Sequence, residues 1–202
     1  MKFDYIIIGA GSAGCVLSNR LSKNQNNRVA VFEAGGPSDI WKVKMPLALL
    51  YTMHDPKYNW KYYSEPEPHL NNRRLFCPRG KMIGGCSAHN GMVFVRGNRN
   101  DYERWTNFGL KSWSYEKNLP YFKKIENWSG GENQYRGSFG PLPVNQSKNN
   151  NPLFKAFIGA ASEAGHKINP DMNGEHQEGF GMFDTTIHKG ERASVALSLI
   201  HI

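Results

Sequence analysis

Cysteine is scarce in this chain. Cys15, Cys77 and Cys86 are the only three in 202 residues, and no two of them form a CxxC pair. That pattern argues against a disulfide framework and against a cysteine-based zinc site. Long apolar runs are missing too: none approaches the ~20 residues that a membrane-spanning helix requires. Met1-Lys2-Phe3 leaves no room for a secretory leader ahead of the first apolar run, which points to the cytoplasm. His54, His69, His166, His176 and His188 show no metal-ligand spacing, so structural or surface roles are expected. There is no internal repeat and no low-complexity tract. Acid is in short supply relative to base, for a net charge of +8. The lysines and arginines are spread along the chain, and no nucleic-acid motif accompanies them. A solvated basic surface is therefore expected rather than a nucleic-acid face.

What is present begins almost at once. Asp4-Tyr5-Ile6-Ile7-Ile8 is an apolar run of strand type, and Gly9-Ala10-Gly11-Ser12-Ala13-Gly14 follows it directly. Cys15 to Leu21 carries apolar residues at helical spacing, with Cys15 expected as a small buried hydrophobe. Arg28 to Glu33 reads as a second strand that ends on a carboxylate. Gly9 would permit the tight turn, Gly11 the approach of a pyrophosphate, and Gly14 close packing of helix on strand. The helix N-terminus would offer free N–H groups and partial positive charge to phosphates. Glu33 follows Gly11 at close to the ~20-residue spacing expected of an acid that binds a ribose. The acid disfavours a 2′-phosphate, which argues against NADP. NAD and FAD both remain open on these residues.

Residues 38–78 hold many aromatics and Pro46, Pro56, Pro66, Pro68 and Pro78. Such a stretch reads as a long excursion with little regular structure, a lid or cover. Asn59 to Tyr63 is a short strand-like piece within it. Gly84-Gly85-Cys86-Ser87-Ala88-His89-Asn90 then forms a loop whose backbone can lie against a flat ligand. Met92 to Gly97 is strand-like. A helical region with interruptions is expected from Asp101 to about Trp128. Gly130 to Asn151 reads as a loop or interdomain crossing. Asn151-Pro152 should cap a helix that runs to Ala164, with Gly165 as its stop and Phe154, Phe157, Ile158 and Ala161 as its apolar stripe. Gly179 to Ile187 is expected as a strand.

On these pieces the sequence resembles the glucose–methanol–choline (GMC) oxidoreductases, in particular their choline dehydrogenase-like branch. The segments that carry the resemblance are Gly9 to Gly14, Glu33-Ala34-Gly35, Asn59-Trp60, Arg79-Gly80-Lys81, Gly84 to Ser87, Asn90-Gly91-Met92, Arg96-Gly97 and Asp101-Tyr102 with Trp105. Glu178 to Gly181 and Arg192-Ala193-Ser194 echo the family later. The resemblance implies an α/β fold: a Rossmann-like FAD-binding domain with a doubly wound sheet, plus part of an α+β substrate domain. It implies residues 1–150 as the FAD-binding domain and 151–196 as the start of the substrate domain.

The implied chemistry is oxidation of a small-molecule alcohol to an aldehyde, with hydride transfer to flavin N5. By position, Gly9, Gly11, Ser12, Ala13 and Gly14 would hold the pyrophosphate, and Glu33 with Ala34 the ribose. Trp60, Arg79, Gly80, Gly84 and Gly85 would surround the remaining flavin, together with Ser87, His89, Asn90, Gly91, Met92 and Val93. Cys86 and His89 depart from the common family pattern. The same two replacements occur in choline oxidase-like members, whose histidine bonds covalently to the flavin. His89 is therefore a candidate for a histidyl–FAD link, with noncovalent packing as the alternative.

The family's catalytic histidine, paired with a second His or Asn, has no counterpart in this chain, so no catalytic residue is assigned. The electron acceptor (oxygen, a quinone or a cytochrome) is left open. A non-catalytic flavin- or nucleotide-binding module is the rival reading. Leu197 to Ile202 matches the translation of a transposon-end sequencing adapter, and these six residues are expected to be an artefact at the end of a truncated chain. Truncation in turn predicts open apolar sheet faces.

Overall fold

The computed structural model describes residues 2–199. Strand β1 (Tyr5–Ile8), helix α1 (Ser12–Leu21) and strand β2 (Val29–Phe32) form a βαβ unit. The two strands run parallel, from Tyr5 opposite Val29 to Ile8 opposite Phe32. The pair is unlike a buried parallel sheet, which should be covered on both faces. Ile6 is 61% and Ile8 81% exposed, which accords with the expectation of open apolar faces.

The stretch 38–78 is more regular than its prolines suggest. It contains α2 (Trp41–Lys44), α3 (Leu49–His54), and the antiparallel pair β3 (Tyr62–Tyr63) and β4 (Phe76–Cys77). Each element is too short to show a period, and Pro46 opens a 3-10 turn between α2 and α3 rather than breaking a helix. Val43, Tyr58, Met82 and Ala88 make a small core here, with Ile40 packed against it.

Strand β5 (Val93–Phe94) is followed by α4 (Arg99–Asn107) and α5 (Tyr115–Ile125). Asn98 and Ser114 cap these helices, accepting from the backbone N–H of Asn100 and Lys117. The helical region expected to reach Trp128 ends at Ile125. Residues Glu126–Trp128 are instead strand β6, paired in parallel with β7 (Leu142–Gln146). Burial of the Glu126 carboxylate among arginines, described below, accounts for this extended backbone. Helix α6 (Pro152–Glu163) begins at the expected cap, where Asn151 accepts from Leu153 N–H, and Gly165 follows it at φ +80°. Of the expected stripe only Ala161 is buried, and Phe157 is 57% exposed.

The strand expected over 179–187 is shorter, as β8 (Asp184–Thr185) and β9 (Ile187–His188). Close passage of Gly181 by the Asn169 carbonyl occupies the residues before it. Strands β5, β8, β7 and β6 make one mixed sheet in that order. Strand β10 (Glu191–Arg192) and α7 (Val195–Leu199) close the described chain.

By contacts the chain divides into two compact units. Of the described residues, one holds 2–92 and 189–199, and the other 93–188. The boundary expected at residue 150 falls inside the second unit. Leu197 to Leu199 belong to α7, whereas residues 200–202 of the expected artefact lie outside the described residues. Among the described residues no helix is long and apolar enough to cross a membrane.

Candidate functional site

The site is built on the turn between β1 and α1. Gly9 has φ +94°, a conformation that a side chain would strain. Gly14 lies in the first turn of α1, where an added Cβ would sit 1.9 Å from the Gly9 carbonyl oxygen. Only hydrogen lets the helix pack there. At Gly11 an added Cβ would meet nothing within 4 Å, so this face of the turn is open to a ligand. Ser12 and Ala13 are exposed at the start of α1, among N–H groups that have no intrahelical acceptor.

Glu33 braces this turn from β2. One carboxylate oxygen accepts from Ala10 N–H and the other from Gly35 N–H, each at 2.8 Å. Each oxygen keeps acceptor capacity for a hydroxyl. Ala34 is exposed beside it.

The loop 84–90 rests on the same turn. Gly84 N–H donates to the Ala10 carbonyl at 2.7 Å. Gly85 has φ +53°, and an added Cβ would sit 2.8 Å from the Gly11 Cα. The paired glycines are thus required twice, for the turn and for close passage of two backbones. Gly85–Ala88 is a short 3-10 turn. Ser87 hydroxyl donates to the Gly84 carbonyl at 2.7 Å and accepts from Val195 N–H at 3.0 Å.

His89 is 3% exposed, and its Nδ1 is buried without a hydrogen-bond partner. Burial, and next the positive charges of Arg192 and Arg79, lower its pKa. Gly91 is exposed and Met92 buried, with φ +59° at Met92.

A second strand of the argument comes from Asn59. It is buried, and its side-chain oxygen accepts from Lys61 N–H and from Arg79 N–H, each at 2.9 Å. Trp60 N–H donates to the Arg79 carbonyl at 3.0 Å. Asn59 therefore holds Trp60, Arg79 and Gly80 in one ladder. The Trp60 ring is half exposed, stacks on Tyr62 at 6.0 Å and carries the Lys81 ammonium 4.8 Å from its centroid.

The structure thus gathers the expected residues from Gly9 to Met92 in one unit, while Val93 opens the other. Two contributors were missed in the sequence. Asn59 appeared there only beside Trp60, and Arg192 only as a late echo. Arg192 is 1% exposed. Its Nη1 donates to the Asn90 carbonyl at 2.7 Å, to Asn90 Oδ1 at 2.9 Å and to the Ser87 carbonyl at 3.4 Å, and its Nε to the Val43 carbonyl at 3.0 Å. No sequence signal marks an arginine as buried.

The arrangement suits a flat, polyanionic ligand. It offers an open glycine turn at a helix N-terminus, a ribose-type acid, and a loop with an unpartnered imidazole nitrogen. The GMC oxidoreductase family model matches residues 3–201. The chain belongs to the GMC oxidoreductase family. Within that family it is 51% identical, over 97% of its length, to an oxygen-dependent choline dehydrogenase of Sinorhizobium fredii. It is 46% identical, over 99% of its length, to a mitochondrial choline dehydrogenase of Mus musculus.

The chain spans about 36% and 35% of those two relatives. Among solved structures it superposes on pyridoxine 4-oxidase from Mesorbium loti with a TM-score of 0.91 at 30% identity, covering 98% of this chain and 39% of that one. An FAD-dependent oxidoreductase from Chaetomium thermophilum gives 0.85 at 27% identity, covering 98% and 36%. The fold class expected from the sequence, α/β with an FAD-type domain, is therefore that of GMC oxidoreductases.

Proposed function

We propose that the GMC protein containing this chain binds FAD and oxidises a small-molecule alcohol to the aldehyde. The observation that carries the reading is the seating of the 84–90 loop on the glycine turn. Gly84 N–H on the Ala10 carbonyl and the close passage of Gly85 by Gly11 join a nucleotide-binding turn to a surface for a flat ring. A bound flavin would supply the hydride acceptor at N5. The chain's own residues bind, orient and exclude water. In this reading the N-terminus of α1 faces the pyrophosphate, and Glu33 with Ala34 meets the ribose. Trp60, Arg79, Gly80, Ser87 and Asn90 to Met92 border the remaining cofactor.

His89 is the residue through which we propose that the flavin is bonded covalently. Burial, and next the charges of Arg192 and Arg79, disfavour the protonated imidazole, and only a neutral imidazole has a nitrogen lone pair to offer. The orphaned Nδ1 supports a histidine placed for a partner that this chain alone does not provide. Choline is the first substrate to test, because both relatives named above carry it in their names, and oxygen the first acceptor, because the Sinorhizobium fredii relative carries that word as well.

The test uses protein expressed from its complete reading frame. A yellow protein whose absorbance bleaches on anaerobic addition of choline or another primary alcohol bears the proposal out. A colourless protein sinks it. A flavin that no alcohol reduces would leave a non-catalytic flavin-binding module. Flavin that stays in solution when the protein is precipitated with acid would refute the covalent link alone.

A further inference from the structure

Arg192 is a buried cation without a counter-ion among the described residues. No carboxylate lies within ion-pair distance of it among the described residues, and its Nη2 has no hydrogen-bond partner. Burial alone lowers its pKa to about 10. Leaving a guanidinium in such a place costs several kcal/mol unless its surroundings use the charge. What surrounds it is the back of the 84–90 loop and the end of α2, through the carbonyls of Ser87, Asn90 and Val43. The residues after it reinforce the same loop, through Val195 N–H on Ser87 Oγ and through Ala196, whose Cβ would lie 3.2 Å from a Cβ on Gly84.

We infer that Arg192 is the positioning residue of this loop, a guanidinium clamp that fixes the Ser87 and Asn90 carbonyls and so sets where His89 is presented. The inference rests on the FAD reading above and deepens it. Neither lysine nor a neutral residue could reproduce the clamp. A guanidinium presents a rigid fork of donors, whereas an ammonium is a single point on a flexible stem. Without it the Ser87 and Asn90 carbonyls would lose the donor that they share, Arg192 Nη1. The same charge also opposes protonation of His89, beside the contribution of Arg79. Loop geometry and imidazole charge state are therefore held by one side chain that need not touch the ligand.

The experiment compares wild type, R192K and R192M, each purified from the complete reading frame. Three quantities are read: flavin per chain, the fraction of flavin that precipitates with the protein in acid, and the pH midpoint at which flavin is incorporated. R192M should carry roughly tenfold less flavin, the scale of losing charge-assisted hydrogen bonds. R192K should fall between R192M and wild type. The pH midpoint of R192M should rise, because His89 then protonates more readily, and a role in packing alone would not move it.

Equal flavin content and an unmoved midpoint in R192M would overturn the inference while leaving a yellow wild type and the FAD reading intact. A colourless wild type would overturn both. Should R192M give no soluble protein, R192K decides. Reduced flavin with a shifted absorption band supports the clamp, and a wild-type content, spectrum and pH midpoint overturn it.

Discussion

Two of the three buried arginines, one in each unit, are stabilised in opposite ways. Arg136, in the second unit, is fully buried but surrounded by carboxylates. Its Nε is 3.2 Å from Glu126, its Nη1 2.6 Å from Asp171 and its Nη2 2.8 Å from Asp184, and its guanidinium lies 4.1 Å from the Trp128 ring centroid. Arg96 bonds Glu126 from the other side, and Gly137 N–H donates to it at 2.8 Å. The acids hold the Arg136 pKa up against the opposing effect of burial. Arg192, in the first unit, has carbonyls only, and its pKa falls. The first arrangement is closed: every charge has a partner, as a structural network must. The second has no carboxylate within ion-pair distance among the described residues; Arg192 Nη2 and His89 Nδ1 are orphaned there, as Arg96 Nε and Trp128 Nε1 are beside the first. What separates the two arrangements is the counter-charge, since each unit holds two orphaned buried nitrogens among the described residues.

The comparison can be broken at its strongest point first. Glu126→Ala should leave Arg96 and Arg136 short of their shared carboxylate and cost about 3–5 kcal/mol. Chemical denaturation of the complete protein measures this, and a loss under ~1 kcal/mol would deny that the network is structural. Gly14→Ala comes next. A methyl at 1.9 Å from a backbone oxygen cannot be relieved by a rotamer, so about 1–3 kcal/mol of stability should go, and flavin with it. Full flavin retention in that variant would argue against the turn as the phosphate site.

A smaller effect concerns His89. Its folded-state pKa lies below the ordinary value near ~6.5. The unfolded chain therefore takes up the proton first as pH falls. The stability that His89 contributes is complete above the unfolded value and is lost as pH drops from there towards the folded pKa. The slope cannot exceed about 1.4 kcal/mol per pH unit for one proton. His89→Asn should flatten the acid limb of a stability–pH curve measured with and without FAD, and an unchanged limb would contradict the assigned burial. Least of all, Asp101→Ala removes an exposed pair with Arg104 one turn along α4. It should shift stability by no more than ~0.5 kcal/mol, and a larger thermal shift would mean that surface charge matters here more than burial does.

Much of the first unit was legible because its signals are local. A strand, three spaced glycines, a helix and an acid occupy one continuous stretch, and their spacing alone requires the turn that the structure shows. Paired glycines at 84 and 85 were readable for the same reason. The excursion over 38–78 was read as irregular because elements of two to six residues have no period to detect. The end of α5 was misplaced by three residues because Glu126 is drawn into a strand by partners at Arg96 and Arg136. Arg192 and Asn59 were not readable as site residues, since an arginine or asparagine looks the same in sequence whether it faces solvent or three carbonyls.

By itself, then, the sequence determined the βαβ nucleotide turn, the family, the glycine-rich loop and the histidine within it. These depend on backbone conformations that neighbouring residues impose. Tertiary structure alone decided which charges are closed into a network and which are left open. Residues 96, 126, 136, 171 and 184 in one unit, and 43, 87, 90 and 192 in the other, are far apart along the chain. Their interactions exist only after burial has removed the water that would otherwise have satisfied each of them separately.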